Sequence, residues 1–431
     1  MEAASAAARR HASSTLTALS HRLTKQLSAA GDGGSGSSRA SNLVFSPLYI
    51  YSALSMMAAG ARGGTLNEIL DAVGASCRKG LLENAILMNC YALCGLGAPG
   101  GAQAAYVSQL FHDFSRMWWK LNPDFRTAVS RLGCSDGYLD FLKPEESKFW
   151  INYSVPMSGA IHHDPILRGP LGADTLFLQS SSFYFEPTWK TPFFKQTDRQ
   201  YYRFHRLDGS VSAARFMRSF ERQFVATHDG FKVLKLPCRS PDAFQGLPLD
   251  EMVAHPPAPR RMLVTQHSLC IFLPDERDGL WGLEDKLAAD PGFLFDHLPE
   301  ESVEVGEFRV PKLKVSFTGS VRPALQGLGI KALFARGADL QDMLVEEERG
   351  EPVFLNDMVH KAIVRVIEQS DEPTAQAACD VPGWHPWPER RPGTVDFVAD
   401  HPFAFFVVEE VSGAILLAGH VLDPTQVKCT G

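Results

Sequence analysis

The sequence predicts an α+β fold, with helices near the N-terminus and strands later in the chain. Four leucines recur at helical spacing and predict an amphipathic helix from about Ser14 to Ala29. Residues Val303 to Phe317 alternate in polarity as two strands. Two apolar runs, Phe403 to Val408 and Ala414 to Val421, flank a Ser-Gly turn and predict a buried hairpin. With 431 residues, 45% of them hydrophobic, the chain can bury a large core.

The N-terminal third has clear start and stop signals for its helices. Residues 1–13 are expected to be disordered, and residues 30–41 form a Gly/Ser-rich linker. After a short strand, Ser46 is a predicted N-cap and Pro47 occupies the first helical position. The helix that follows is apolar nearly all round, so it is expected in the core. The segment Thr65-Leu66-Asn67-Glu68 is a capping box that predicts a second helix ending at Gly74.

Composition excludes several classes of function. The chain has 42 Lys and Arg against 49 Asp and Glu, a net charge of −7, which argues against a nucleic-acid partner. Its eight cysteines form no CxxC pair, so free thiols are predicted, and neither a metal nor a cofactor is expected. The N-terminus lacks an apolar stretch of signal-peptide length, and no run of 18 apolar residues follows. We therefore expect a soluble, cytoplasmic protein without a membrane partner.

One long stretch, residues 368–394, has neither helical nor strand periodicity. It connects a β-branched run, Ala362 to Ile367, to the apolar segments that begin at Val395, and it contains five prolines and two tryptophans. A connection longer than about 12–15 residues is uncommon in a compact domain and usually indicates a functional loop or disorder.

Two long stretches carry a resemblance to a known family. Residues 42–74 read NLVFSPLYIYSALSMMAAGARGGTLNEILDAVG, and residues 395–425 read VDFVADHPFAFFVVEEVSGAILLAGHVLDPT. Both resemble signatures of the serpins, the second in particular those of plant serpins. Segment 228–237 resembles the central sheet strand of that family, segment 271–287 resembles its strand-to-helix turn after the hairpin, and segment 303–317 supplies two alternating strands. The resemblance covers roughly residues 14–426 and implies a single domain there, followed by a short tail at 427–431.

The resemblance implies a fold with three β-sheets, about nine helices and an exposed reactive-centre loop, here residues 368–394. In serpins a target protease attacks this loop, which then inserts as a new strand into the large sheet. The implied partners are serine or cysteine proteases, and the protein is expected to be a monomer. Many serpins are extracellular, which is the alternative to a cytoplasmic location.

The hinge at the start of this loop departs from the family pattern. By resemblance it comprises Glu368, Gln369, Ser370, Asp371, Glu372, Pro373, Thr374 and Ala375. Asp371 replaces a Thr, and Pro373 replaces the first Ala. Strand periodicity places both on the face that the family turns to the core, where a buried carboxylate costs several kcal/mol and proline lacks a ladder N–H. Both changes oppose insertion.

The family also has a polar cluster beneath the sheet that must open. The corresponding positions here are Ser46, Tyr49, Ser181 and His360. Tyr49 replaces a Ser and Ser181 replaces an Asn, although a changed network could still be satisfied through Tyr49 and His360. In the family a Lys-Gly pair usually precedes the tryptophan that is Trp189 here. In this chain the residues before Trp189 are Glu186-Pro187-Thr188.

The bond that a protease would cut is not determined by the sequence. Counting forward from the hinge reaches Trp384, whereas aligning back from Val395 reaches Glu389. The bond after Arg391 is a poor site for trypsin-like proteases, because Pro392 follows it directly. The Arg390 to Arg391 bond is therefore the most accessible candidate.

The leading hypothesis is a serpin-fold protein that is non-inhibitory or weakly inhibitory. The alternative is a suicide-substrate inhibitor of serine or cysteine endopeptidases that acts by loop insertion. An enzyme is not expected, since HExxH and phosphate-loop motifs are absent.

Overall fold

The computed structural model describes residues 2–30, 41–113, 121–154, 165–172, 174–193, 201–241, 265–345, 353–368 and 393–426, with side chains of the first helix described from Ser14 to Ala29. Within these ranges there are nine α-helices. They are α1 (Glu2–Ala30), α2 (Pro47–Gly60), α3 (Gly63–Val73), α4 (Arg78–Ala92), α5 (Pro123–Arg131), α6 (Pro144–Tyr153), α7 (Leu280–Ala289), α8 (Phe293–Asp296) and α9 (Arg322–Gly327).

The first helix begins earlier than predicted. Helix α1 starts at Glu2, so residues 2–13 are helical where we expected disorder. This segment contains many alanines, the residue with the highest helix propensity. The predicted linker at 30–41 lies almost wholly outside the described residues, as does the tail at 427–431.

The N-cap of α2 is confirmed, whereas the capping box of α3 is wrong. The hydroxyl of Ser46 accepts a hydrogen bond from the Tyr49 backbone N–H. In contrast, α3 begins at Gly63 without a side-chain cap. The Thr65 hydroxyl accepts instead from the backbone N–H of Asp339, and Glu68 accepts from two backbone N–H groups at residues 331 and 332. The side chains of Thr65 and Glu68 therefore bind backbone groups of distant segments instead of capping the start of α3.

Sixteen strands in the described residues form three sheets and one separate pair. The six-stranded sheet contains, in spatial order, β1 (Leu43–Phe45), β16 (Ala414–Val421), β15 (Phe403–Glu409), β10 (His267–Pro274), β9 (Phe231–Pro237) and β8 (Phe224–His228). The five-stranded sheet contains β12 (Leu313–Ser320), β13 (Leu355–Val366), β4 (Phe177–Glu186), β2 (Gln103–Asp113) and β3 (Ser135–Leu139). The three-stranded sheet contains β14 (Val395–Val398), β11 (Val305–Pro311) and β7 (Phe216–Arg218), and the pair is β5 (Tyr202–His205) with β6 (Val211–Ala214).

The predicted C-terminal hairpin is confirmed at the centre of the six-stranded sheet. Strands β15 and β16 pair antiparallel and are buried along their whole length. Gly413 in their turn has a φ of 71°, a left-handed conformation that favours glycine. Gly419 allows a second close approach, because a Cβ built on it would lie 1.9 Å from the Leu43 carbonyl oxygen.

Two hydrophobic cores cover the two faces of the five-stranded sheet. The main core includes α1, α2 and the six-stranded sheet, together with Phe183 and Ala362 of the five-stranded sheet. The second core lies on the opposite face, where Ile151 of α6 packs with Tyr184 and Ile363. Strands β4 and β13 are therefore buried from both sides.

Candidate functional site

The predicted cluster residues meet beneath the contact between β4 and β13, which we call the seam. The backbone N–H of Ser46 donates to Nε2 of His360 at 2.9 Å. The other ring nitrogen, Nδ1, lies 2.8 Å from the Ser181 hydroxyl. Because a backbone N–H can only donate, Nε2 is the acceptor and the proton resides on Nδ1, which donates to Ser181. One imidazole thus connects the start of α2 to both strands of the seam.

His360 is held neutral by its surroundings. Its side chain is fully buried, and burial lowers its pKa from 6.5 to about 3. The tautomer that the hydrogen bonds select is therefore the one present at neutral pH.

Tyr49 takes a different part from the one the sequence suggested. Only its backbone joins the cluster, while its ring packs 5.5 Å from Phe183 and 6.2 Å from Tyr106. The Tyr49 hydroxyl is buried and has no hydrogen-bond partner among the described residues, and burial raises its pKa. The replacement network through Tyr49 and His360 is thus only half formed.

The middle of the seam contains further polar atoms without partners. The side-chain oxygens of Ser180 and Ser182 and Oε1 of Gln179 are buried on β4 and lack hydrogen bonds within the described part of the chain. Leaving such a group unsatisfied costs about 1–3 kcal/mol. These atoms lower the stability of the closed sheet.

The seam itself is closed. Strand β4 pairs directly with β13 in parallel register, from Phe177 opposite Leu355 to Phe185 opposite Val364. No strand lies between them along this stretch of described residues. The five-stranded sheet therefore has the arrangement that precedes any loop insertion.

One end of the seam is tied by an ion pair between a buried carboxylate and a guanidinium that is 38% exposed. Arg365 of β13 contacts Oε2 of Glu186 on β4 at 3.0 Å, and the Tyr184 hydroxyl donates to the same oxygen. The Glu186 side chain is only 3% exposed, so its charge needs these partners. Burial and the hydrogen bond to Glu186 raise the pKa of Tyr184, so its hydroxyl stays protonated and can donate. We call these three residues the seam clamp.

The point where β13 leads into the loop is fixed by two more contacts. The indole N–H of Trp189 donates to the Ile367 carbonyl at 2.7 Å. Glu368, the first predicted hinge residue, forms an ion pair with Lys312 at 2.6 Å, and both side chains are largely buried. The start of the hinge is therefore anchored beside the clamp.

The remaining predicted loop residues lie outside the described part of the chain. These are hinge residues Gln369, Ser370, Asp371, Glu372, Pro373, Thr374 and Ala375, and candidate cleavage residues Trp384, Glu389, Arg390 and Arg391. The chain is described again from Gly393, and β14 then pairs with β11.

Sequence reasoning missed the partners of the clamp. Glu186 differs from the family pattern, and Arg365 and Lys312 lie in segments predicted as strands, but no motif assigns an ion-pair partner to any of the three. A signal was present, since Glu186 follows the aromatic run at 183–185, Arg365 lies inside the apolar run from Ala362 to Ile367, and buried charges are almost always paired. The pairing itself could not be read from residues that lie 179 positions apart.

Comparisons with known proteins place this geometry in a family. The family model described as Serpin (serine protease inhibitor) matches residues 14–424. The chain belongs to the serpin family. The α+β serpin fold and the resemblance to plant members are thereby confirmed, and proteases are the general targets of this family.

Plant serpins resemble this chain over nearly its whole length. A protein of Oryza sativa subsp. japonica, provisionally named serpin-Z6C, is 46% identical over 97% of this chain and 99% of its own length. Serpin-Z2A of the same organism is 38% identical over 95% of this chain and 97% of its own. The solved structure of Arabidopsis AtSerpin1 in its native stressed conformation superposes with a TM-score of 0.78 at 28% identity, covering 97% of this chain and 99% of that one.

The described residues contain no helix with the length and apolar character needed to cross a membrane.

Proposed function

We propose that this serpin presents its loop to serine or cysteine proteases and is cleaved as a substrate, or bound, with little or no trapping of the protease. The main support for this proposal is that β4 and the central part of β13 are buried on both faces. A strand inserted between them would be buried whichever way its side chains pointed. Asp371 would then lose its hydration without an evident partner.

Pro373 adds a second obstacle. An inserted strand would have a neighbour on each side, so both edges of its backbone would be needed for ladder hydrogen bonds. Proline lacks the N–H and is confined largely to edge strands and bulges.

The seam clamp opposes insertion at the end where the loop leaves β13. Neighbouring strands lie about 4.8 Å apart, so an added strand moves β4 and β13 apart by roughly the same amount. The 3.0 Å contact between Arg365 and Glu186 would have to rearrange. Moving the guanidinium away would leave the buried Glu186 carboxylate without its ion-pair partner, although the 38% exposure of Arg365 makes this cost smaller than that of breaking a fully buried pair.

The test is incubation with a panel of trypsin-like, chymotrypsin-like and papain-like proteases. We expect cleavage within residues 379–394, mapped by mass spectrometry, with no covalent complex on denaturing gels and no rise in the melting temperature of the cleaved protein. Replacing both Arg390 and Arg391 by Gln should remove cleavage by the trypsin-like enzymes alone. A covalent complex that survives denaturation with any protease of the panel would refute the proposal.

The second candidate function is a suicide-substrate inhibitor that acts by loop insertion. It is favoured by the direct pairing of β4 with β13 and by the unpartnered polar atoms on β4, which weaken the closed sheet. The same panel distinguishes the two functions, because only the inhibitor yields the covalent complex.

A further inference from the structure

Helix α6 exposes its aromatic side chains to solvent. Phe149, Trp150 and Tyr153, which we call the α6 aromatic patch, are 59%, 48% and 60% exposed. Their rings contact one another, with centroid separations of 5.3, 5.9 and 6.0 Å. Contiguous exposed aromatic surface usually indicates an interaction site.

The orientation of α6 is set by its opposite face. Ile151 is fully buried in the second core. Asn152 forms two hydrogen bonds with the backbone of Leu167, at 2.9 and 3.2 Å, and the Ser147 hydroxyl donates to the Asp140 carbonyl at 2.7 Å. Rotating the helix to bury the aromatic patch would break these contacts. The exposure is therefore a property of the folded protein.

Acidic side chains lie next to the patch. Glu145 and Glu146 are exposed in the first turn of α6. Residues three, four and seven positions apart share a helix face, so Glu146 lies on the same face as all three aromatic residues. Its nearest cation, Lys143, is 4.0 Å away with both side chains more than 60% exposed, and such a pair contributes little. The face combines aromatic surface with exposed carboxylates, and the cation paired with Glu146 is itself exposed to solvent.

The size of the patch limits what can bind. Three rings that are about half exposed offer roughly 300 Å² of surface. A stable dimer or globular partner normally buries about 800 Å² per side. The acidic neighbours also disfavour an anionic membrane surface.

We propose that the α6 aromatic patch binds a short segment of a partner protein that carries apolar side chains and at least one Lys or Arg. The apolar groups pack on the rings, and the cation lies over an aromatic face beside Glu145 and Glu146. This site is separate from the loop and does not depend on whether the loop inserts.

The test selects peptides from a random 12-residue library displayed on phage, using the full-length protein. Selected peptides, measured by fluorescence anisotropy, should bind the wild type at least tenfold more tightly than the Phe149→Gln/Trp150→Gln/Tyr153→Gln variant. The selected peptides should carry net positive charge. The Glu145→Lys/Glu146→Lys variant should bind them at least fivefold more weakly than the wild type. The control Tyr201→Gln removes a side chain that is 55% exposed just before β5, and it should bind like the wild type.

All of these substitutions are at exposed positions, and circular dichroism verifies folding. If the triple variant fails to fold, Trp150→Gln alone replaces it, with a threefold loss expected. Three results would overturn the proposal. The first is a selection in which no peptide distinguishes the wild type from the variant. The second is concentration-dependent dimerisation that the variant abolishes, which would make a second copy the occupant. The third is patch-dependent binding to phosphatidylcholine/phosphatidylserine vesicles without peptide binding.

Discussion

Acidification is predicted to destabilise this serpin through the buried imidazole of His360. Its pKa is about 3 in the folded protein, against 6.5 for an ordinary histidine. Between these values the unfolded chain binds a proton that the folded protein does not bind, so stability is fully present above pH 6.5 and is lost as the pH falls toward 3. The contribution of His360 to the unfolding free energy therefore falls by about 2 kcal/mol between pH 7 and pH 5, and by about 5 kcal/mol in total as the pH falls from well above 6.5 to well below 3.

The assay is guanidinium unfolding followed by tryptophan fluorescence at pH 7, 6 and 5, for the wild type and for His360→Gln. The glutamine carbonyl can still accept from the Ser46 N–H but does not titrate. His21 and His112, whose pKa values burial lowers to about 4, are present in both proteins, so their contributions cancel. The wild type should lose about 2 kcal/mol more than His360→Gln between pH 7 and pH 5.

A control variant separates titration from packing. Ser181→Ala removes the acceptor of the Nδ1 proton and should cost about 1 kcal/mol at every pH while the pH slope is kept. Equal slopes for the wild type and His360→Gln would contradict the buried, neutral imidazole.

Two further predictions concern glycine packing and the hinge. Gly419→Ala should destabilise the protein by more than about 3 kcal/mol, since the new Cβ would meet the Leu43 carbonyl oxygen at 1.9 Å. The control Gly282→Ala lies inside helix α7 with no atom within 4 Å of its Cβ and should stabilise by about 0.5–1 kcal/mol, both changes being read from denaturation midpoints. Replacing Asp371 by Thr and Pro373 by Ala should raise the melting temperature of the loop-cleaved protein above that of the cleaved parent; no rise would show that the hinge is not the obstacle.

Short-range patterns were reliable where the partners lie within one turn of the chain. Ser46 caps α2 because its acceptor and the Tyr49 N–H are three residues apart, a distance that the backbone geometry itself sets. The hairpin of β15 and β16 likewise follows from two apolar strands and a turn of few residues. The same kind of argument failed at Thr65 and Glu68, because backbone groups from distant segments compete for those side chains.

The candidate site has a mixed origin. Its members Ser46, Ser181 and His360 were named by resemblance, and the structure brings them within hydrogen-bond distance across sequence separations of 314 and 179 residues. The sequence does not predict that the Tyr49 hydroxyl lacks a hydrogen-bond partner among the described residues, since a tyrosine can serve equally well in packing or in hydrogen bonding.

Motifs along the chain were sufficient to identify the family and several of its elements, and they predict an unusual hinge at Asp371 and Pro373. These features depend on residue types and on spacings of a few positions. The tautomer and lowered pKa of His360, the clamp between Glu186 and Arg365, and the outward direction of the α6 aromatic patch were decided only in three dimensions. Each depends on which groups from distant segments exclude water from one another, and no local pattern specifies that.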